Sequence, residues 1–146
     1  MEIDKYIQTL LHGLQYKKLL ESKMELIREK YGLREVEVKV LYFLTHCGDH
    51  DTARDIREEM KLTKGHISQA VDRLQKMGFL VLIPDQEDRR YVHLQLTKQA
   101  KSVTEEIKRE WSALNQIVFA GITKEEEETL KRVALKIANN LEKELK

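Results

Sequence analysis

The chain has 146 residues, of which 41% are hydrophobic and 35% charged, and its formal net charge is only +1. That length suits one domain with a real core, while one proline and six glycines argue against an all-β fold or a disordered linker. The chain has a single cysteine, no secretory pattern at the N-terminus and no apolar run near the roughly 20 residues that span a bilayer. These features predict a cytoplasmic protein without disulfides or membrane contact.

The first predicted element is a long amphipathic helix over residues 4–31. Its apolar residues recur three or four positions apart, and Gly32 follows the last of them. The next stretch, EVEVKVLYFL, alternates at its start like a strand, but its apolar run is too long for one. We therefore predict a second helix over residues 34–46, followed by a turn at Gly48.

Two short helices joined by a tight turn come next. Thr52 begins the first, with Asp55 three residues later in an arrangement like a capping box, and this helix ends near Leu62. Thr63 is the expected N-cap of the second helix and Gly78 its terminator. Each helix has one apolar face, which on the second consists of Ile67, Ala70, Val71 and Leu74. Two such helices so close together indicate a helix-turn-helix.

A β-hairpin and two further helices complete the chain. Residues 79–83 and 91–96 are predicted strands, joined by the polar loop PDQEDRR. A long amphipathic helix is expected from residue 98 to about 120, and a last helix begins after a capping box at Thr123. The sequence therefore predicts a mainly α fold with a small β-hairpin.

The start of the second short helix carries side chains that suit a DNA major groove. A helix in that groove reads base edges with a few residues near its N-terminus. Glutamine bonds adenine with two hydrogen bonds, lysine donates to guanine, and glycine permits close approach. The predicted groove-facing residues are Thr63, Lys64, Gly65, His66, Ser68 and Gln69.

Other polar residues of the two helices suit the phosphate backbone. Arg73 and Lys76 lie further along the second helix, while Thr52 and Arg54 stand at the N-terminus of the first, where phosphate binds readily. A solvated polar face explains any one of these residues equally well. As a set within a helix-turn-helix and a hairpin, they favour DNA binding.

The hairpin tip contains Asp88, Arg89 and Arg90. A protruding arginine is able to enter the narrow minor groove, where the potential is most negative. The adjacent aspartate would pair with an arginine and stiffen the hairpin. An ordinary surface salt bridge is the alternative explanation.

The stretch DRRYVHLQLT, residues 88–97, resembles the D-x-R wing and the following strand of the MarR family, which are bacterial winged helix-turn-helix transcription regulators. The resemblance extends over nearly the whole chain. It implies that Asp88 stabilises the wing, that Arg90 is the minor-groove arginine and that Arg89 occupies the variable position. It also implies a single winged-helix domain over residues 1–146, with a DNA-binding region at 34–97 and long dimerisation helices in 1–31 and 98–146.

Members of the family are dimers whose terminal helices interlock, so the resemblance implies a homodimer. Burying all the apolar stripes within one small chain is difficult, which agrees with that expectation. The implied interface residues are Ile7, Leu10, Leu14, Ile107, Trp111, Leu114, Leu130, Val133 and Ile137. Members often bind a small aromatic or phenolic effector between the dimerisation and DNA-binding regions. The aromatic residues that would line such a pocket here are Tyr16, Trp111 and Phe119. Packing in the core explains these three residues as well.

Taken together, these features predict a ligand-responsive homodimeric repressor that binds a pseudo-palindromic DNA operator and uses no cofactor. A winged-helix protein-interaction module without DNA binding is the alternative, because residues 52–97 hold 8 Lys+Arg against 7 Asp+Glu. A metal-responsive regulator is another alternative, through His46, Cys47 and His50, although their irregular spacing favours a simple turn.

Neither oxidant sensing nor catalysis is expected. Relatives that sense peroxide use a cysteine near the N-terminus, whereas Cys47 follows the second helix and is expected to be a small buried residue. The acidic residues Asp85, Glu87 and Asp88 lie on an exposed loop without a partner nucleophile, so an enzyme is not predicted.

Overall fold

The computed structural model describes residue 10 and residues 12–146. Ile7, one of the implied interface residues, lies outside the described residues. The chain forms two compact units that divide between Ser112 and Ala113.

The described part is mainly helical, with one antiparallel hairpin, which confirms the predicted fold class. In chain order its elements are α1 (Leu14–Tyr31), α2 (Glu35–Leu44), α3 (Ala53–Met60), α4 (Lys64–Lys76), β1 (Leu80–Pro84), β2 (Val92–Leu96), α5 (Lys101–Val118) and α6 (Lys124–Leu145). A 3-10 turn at Lys98–Ala100 leads into α5. None of the helices in this part of the chain is long and apolar enough to cross a membrane.

The predicted continuous helix over residues 4–31 is wrong at Gly13. This residue adopts φ 63° and ψ 11°, a left-handed conformation that interrupts a right-handed helix, and α1 begins at Leu14. Glycine reaches that region without the steric penalty of a Cβ atom. Leu10 and Leu14, on either side of the break, are both exposed.

The ambiguous stretch after α1 is helical, as predicted. Residues Val38, Val40, Leu41 and Phe43 of α2 are buried, and so is the charged Glu37. With apolar residues buried on several sides, α2 runs through the core of the first unit. The valines that alternate along it therefore reflect a helix enclosed by neighbours rather than a strand.

The predicted caps of the two short helices are confirmed. The Thr52 hydroxyl accepts a hydrogen bond from the Asp55 backbone N–H at 3.2 Å, and the Asp55 carboxylate accepts one from the Thr52 backbone N–H at 3.0 Å. Thr63 caps α4 by accepting from the His66 backbone N–H at 3.2 Å. Gly78 follows α4 with φ 82°, where a Cβ atom would lie 2.6 Å from the Gln99 side chain.

The buried face of α4 is the predicted one. Ile67, Ala70, Val71 and Leu74 are each at most 9% exposed, and α4 packs against α2, α3 and β1. The hairpin pairs Leu80 with Leu96 at its base and Pro84 with Val92 near its tip. We call β1, β2 and their connecting loop, residues 85–91, the wing.

The segment that precedes α3 pairs with the wing. Thr52 forms a β-bridge with His93 of β2, and the Leu94 backbone N–H donates to the Asp51 carbonyl at 2.9 Å. Because these bonds join backbone atoms, the start of the helix-turn-helix and the wing form one continuous piece of structure.

The second unit contains the end of α5 and the whole of α6. Thr123 and Glu126 form the predicted capping box, with both hydrogen bonds at 3.1 Å. No residue of α6 is buried, although it is an amphipathic helix of 22 residues.

Candidate nucleic-acid interface

The N-terminal half of α4 presents its predicted groove-facing side chains to solvent. The exposed residues are Thr63, Lys64, Gly65, His66, Ser68 and Gln69. The opposite face is buried, so the fold holds this polar surface outward. Thr63 has a second contact here, since its hydroxyl lies 3.0 Å from His66 Nδ1 and orients that imidazole against the cap.

Gly65 is not required by packing within the chain. A Cβ atom at this position would meet nothing closer than the Thr63 hydroxyl oxygen at 4.0 Å, which is ordinary contact. The small size of Gly65 therefore leaves open space beside the N-terminal end of α4. This is the end that a DNA groove would receive.

The sequence predicted that Arg73 contacts a DNA phosphate, but its guanidinium forms hydrogen bonds within the chain. Its Nε donates to Glu37 Oε2 at 2.8 Å and its Nη2 donates to the Gly32 carbonyl at 3.1 Å. Glu37 is 1% exposed, so Arg73 pairs with a carboxyl group that lies inside the fold. We therefore correct the interpretation of Arg73, which holds α4 against α1 and α2 inside the chain.

The remaining predicted phosphate contacts take part in local ion pairs on the surface. Lys76 lies 3.0 Å from Asp72, and Arg54 lies 3.2 Å from Glu58. Exposed pairs of this kind contribute about 0–1 kcal/mol, so a phosphate would displace them easily. The Thr52 hydroxyl is held more closely, because it donates to the Asp55 carboxylate at 2.8 Å while capping α3.

The wing tip is built around Asp88 and Arg90. The Arg90 guanidinium donates to the Asp88 carboxylate through Nε at 3.0 and 3.2 Å and through Nη2 at 2.8 Å. These bonds lower the pKa of the Asp88 carboxyl and keep it charged. The Arg90 side chain is still 86% exposed, and Nη1 makes none of these bonds, so part of its donor edge points outward. Arg89 beside it is also exposed.

Asp85 closes the loop on the other side. Its carboxylate accepts hydrogen bonds from the backbone N–H groups of Glu87 at 3.1 Å and Asp88 at 2.9 Å. Its own N–H donates to the Tyr91 carbonyl at 2.9 Å. The carboxylates of Asp85 and Asp88 therefore organise the backbone of the loop.

Sequence reasoning missed the cluster of His93, Asp51 and Asp85. His93 Nδ1 lies 2.5 Å from Asp51 Oδ1, and Nε2 lies 2.7 Å from Asp85 Oδ1. Hydrogen bonds to these two carboxylates, with their negative charge, raise the pKa of His93 to about 9. Asp51 is 42 positions from His93, and the only local signal was a histidine on the outward face of a strand whose neighbouring loops carry aspartates.

A small apolar cavity lies among α1, α2 and α5 within the first unit. Its volume is about 40 Å³, and its walls include Leu20, Met24, Val38 and Trp111 with Arg28 at one side. Within the described residues, Arg28 Nε is buried without a hydrogen-bond partner. Of the three aromatic residues considered from the sequence, Trp111 lines this cavity and stacks on Tyr42 with ring centroids 4.1 Å apart.

Cys47 lies in a turn, where its thiol contacts the backbone. The thiol lies 3.8 Å from the Leu44 carbonyl, and partial burial raises its pKa, which keeps it protonated and slow to react. In the part of the chain that the structure describes, no three His, Cys, Asp or Glu side chains are grouped to hold a metal ion.

Comparison with known proteins identifies the family. The sequence model described as "MarR family" matches residues 31–90, which contain α2 to α4 and most of the wing. The HTH-type transcriptional regulator YwaE of Bacillus subtilis (strain 168), itself uncharacterized, is 31% identical over 123 residues, covering 84% of this chain and 71% of that protein. The chain belongs to the MarR family. Another regulator of the same organism is 25% identical over 89 residues, and the chain spans 59% of its length.

Solved structures share the fold of this chain. Transcriptional regulator PA3341 has a TM-score of 0.79 at 25% identity, over 94% of this chain and 99% of that one. MepR of S. aureus, solved as a complex with DNA, has a TM-score of 0.75 at 18% identity, over 94% of this chain and 96% of that one. At that identity the likeness to MepR concerns the fold.

Proposed function

We propose that this MarR-family chain is a sequence-specific regulator of transcription that binds double-stranded DNA as a homodimer. The observation that carries the proposal is the exposed polar start of α4, whose opposite face is buried in the core. Lys64, Ser68 and Gln69 lie where a major-groove helix reads base edges. The DNA complex of MepR, a protein with the same fold, supports this placement.

The wing supplies a second contact in this proposal. A guanidinium that is braced by Asp88 and exposed at its outer edge suits a narrow, negative minor groove. The bonds to Asp88 restrict the Arg90 side chain in the free protein, so less conformational entropy is lost when the protein binds DNA. Arg90 would then contribute affinity, and the residues on α4 would contribute specificity.

The exposed apolar side of α6 supports the homodimer. Leu130, Val133 and Leu141 are 39%, 46% and 60% exposed, and no residue of this helix is buried. A helix with an apolar stripe needs a partner that covers it. A second copy of the chain is such a partner, and it would place two α4 helices on successive major grooves of a pseudo-palindrome.

The implied interface residues fall into two groups. Leu10 and Leu14, like Leu130 and Val133, are exposed in the single chain, and Trp111 and Ile137 are half-buried. Ile107 and Leu114 are both fully buried already. We therefore assign contact with the partner to the exposed and half-buried residues.

The cavity beside Trp111 is the proposed effector site. Its apolar walls suit an aromatic ring, and Arg28 suits an acidic or phenolic oxygen. A volume of about 40 Å³ holds little more than a water molecule, so a ligand would have to separate α1 from α2. Because Trp111 is the single tryptophan of the chain, quenching of its fluorescence by a panel of aromatic acids and phenols tests this proposal directly.

The test of the central proposal is selection of bound sequences from a random DNA pool, followed by a salt titration on the selected duplex. A DNA-binding regulator enriches a two-fold symmetric site and shows a steep loss of affinity with salt. Failure to enrich any site, with no salt-dependent binding, would instead favour the protein-interaction module that the modest charge of residues 52–97 also fits.

A further inference from the structure

His93 lies between two carboxylates that belong to different parts of the fold. Asp51 stands in the segment that leads into α3, and Asp85 stands at the first position of the wing loop. Each ring nitrogen of His93 lies within hydrogen-bond distance of one of them, at 2.5 and 2.7 Å. A neutral imidazole donates from one nitrogen only, so satisfying both carboxylates by donation requires the doubly protonated ring.

The surroundings of this imidazole are strongly acidic. The charged side chains that line the same cleft, from the turn before α3, from α3 and from the wing loop, are Asp49, Arg54, Asp55, Glu58, Asp85, Glu87 and Asp88. Asp51 adds a further carboxylate, 2.5 Å from His93 Nδ1. Loss of the positive charge on His93 would leave Asp51 and Asp85 facing each other without a cation between them, which drives like charges apart.

The wing has few other polar ties to the helix-turn-helix. Backbone bonds at Asp51 and Thr52 join the middle of β2 to the segment before α3. The loop itself is held by its own contacts, such as those of Asp85 and Asp88. Through its two ring nitrogens His93 therefore links Asp85, at the start of the loop that carries Arg90, to Asp51 in the segment before α3.

We propose that His93 is a positioning residue, which clamps the wing loop against the segment that begins the helix-turn-helix and so sets where Arg90 is presented relative to α4. The clamp acts through the positive charge of the His93 imidazole, which the carboxylates of Asp51 and Asp85 share. This inference rests on the proposed DNA-binding function for its consequence, although the clamp itself is a property of the free protein.

The experiment compares the full-length protein with His93→Gln and with a matched control, His50→Gln. Glutamine keeps a hydrogen-bonding side chain of similar length but carries no charge. His50 is a suitable control because its side chain is 83% exposed and its nearest carboxylate, on Asp55, is 3.9 Å away. Protection of the backbone N–H groups of Glu87, Asp88 and Tyr91 from hydrogen exchange reports the clamp without any DNA.

In free protein we expect His93→Gln to reduce protection in the wing loop at least tenfold while the amides of α4 keep theirs, and His50→Gln to leave both unchanged. Unchanged wing protection in His93→Gln overturns the proposal. An equal loss of protection in the wing and in α4 overturns it as well, because it would indicate a general role in folding.

With DNA we expect His93→Gln to weaken binding about tenfold at neutral pH, as loss of a charged hydrogen bond implies. The ratio of wild-type to variant affinity should approach one at about pH 9.5, where wild-type His93 has largely lost its proton. A ratio that stays constant with pH overturns the role of the charge. If wild-type protein binds no DNA, the proposed function fails, and the exchange measurement alone decides on the clamp.

Discussion

Arg73 of α4 forms a salt bridge with Glu37 of α2, with Nε and Oε2 2.8 Å apart. Glu37 is almost completely buried and also accepts a hydrogen bond from the Arg34 backbone N–H at the start of α2, at 3.1 Å. The same guanidinium bonds the carbonyl of Gly32 at the end of α1. One side chain of α4 therefore fixes its position relative to two other helices.

Replacement of Arg73 by alanine should lower the free energy of unfolding by about 3 kcal/mol, because it leaves the Glu37 carboxylate buried without its cation. Lys76→Ala is the matched control on the same helix, since it breaks an exposed pair with Asp72 and should cost less than about 1 kcal/mol. Urea unfolding at equal protein concentration measures both. Equal losses in the two variants would contradict the importance of the buried pair.

Arg90→Ala should weaken binding to the selected DNA site by at least tenfold, because it removes the cation proposed to enter the minor groove. Far-ultraviolet circular dichroism and thermal melting should remain those of the wild-type protein. Arg109→Ala removes an exposed arginine of α5 and serves as the control for total charge. Anisotropy titrations at physiological salt give the affinities, and unchanged affinity for Arg90→Ala would overturn the assignment of the wing.

Gln69→Ala should reduce sequence preference more than overall affinity. Loss of a bidentate contact to adenine costs about 1–3 kcal/mol on the selected site and little on an unrelated duplex. Gln75→Ala, an exposed glutamine near the other end of α4, is the matched control. Competition between selected and scrambled duplexes measures the preference. A uniform loss on both duplexes would place Gln69 on the phosphate backbone instead.

Because the exposed apolar side of α6 is the proposed dimer interface, Val133→Asp should shift the equilibrium from dimer towards monomer. The substitution places a charge in an apolar stripe in which Leu130, Val133 and Leu141 lie within an arc of about 80° of α6. Asn139→Asp makes the same change of charge on the opposite side of that helix and should leave the oligomeric state unchanged. Sedimentation equilibrium distinguishes them, and a dimeric Val133→Asp protein would exclude this face from the interface.

The stability of the first unit should depend on alkaline pH through His93. Its pKa is raised from 6.5 to about 9 by Asp51 and Asp85, so the folded state binds the proton more tightly than the unfolded state does. The resulting stabilisation is complete below about pH 6.5 and is lost as the pH rises through about 9. The difference in melting temperature between wild type and His93→Gln should shrink over that window. A difference that does not change with pH would contradict the titration.

Much of the fold followed from local sequence signals. The caps at Thr52, Thr63 and Thr123 were predicted because a threonine bonds a backbone group only three residues away. The apolar face of α4 was predicted because helical periodicity repeats within a few residues. Gly13 was missed because a glycine within an apolar helical pattern carries no local mark of the conformation it will adopt.

The candidate site was predictable in part. Sequence periodicity alone assigned the exposed start of α4 correctly, since residues opposite a buried stripe face solvent. Arg73 was misassigned, because helical position does not reveal that a buried carboxylate on another helix faces it. Glu37 carried a signal that sequence reasoning did not use, since it is a charged residue within the apolar run of α2.

By itself the sequence determined the type and the limits of most elements, and through the stretch 88–97 it determined the family. These properties depend on residues within a few positions of one another. Only the tertiary structure decided which polar side chains join one helix or strand to another. Arg73 and Glu37 are 36 positions apart, and His93 and Asp51 are 42 apart. Such pairs meet only after the helices and the wing have packed, because no local spacing brings them together.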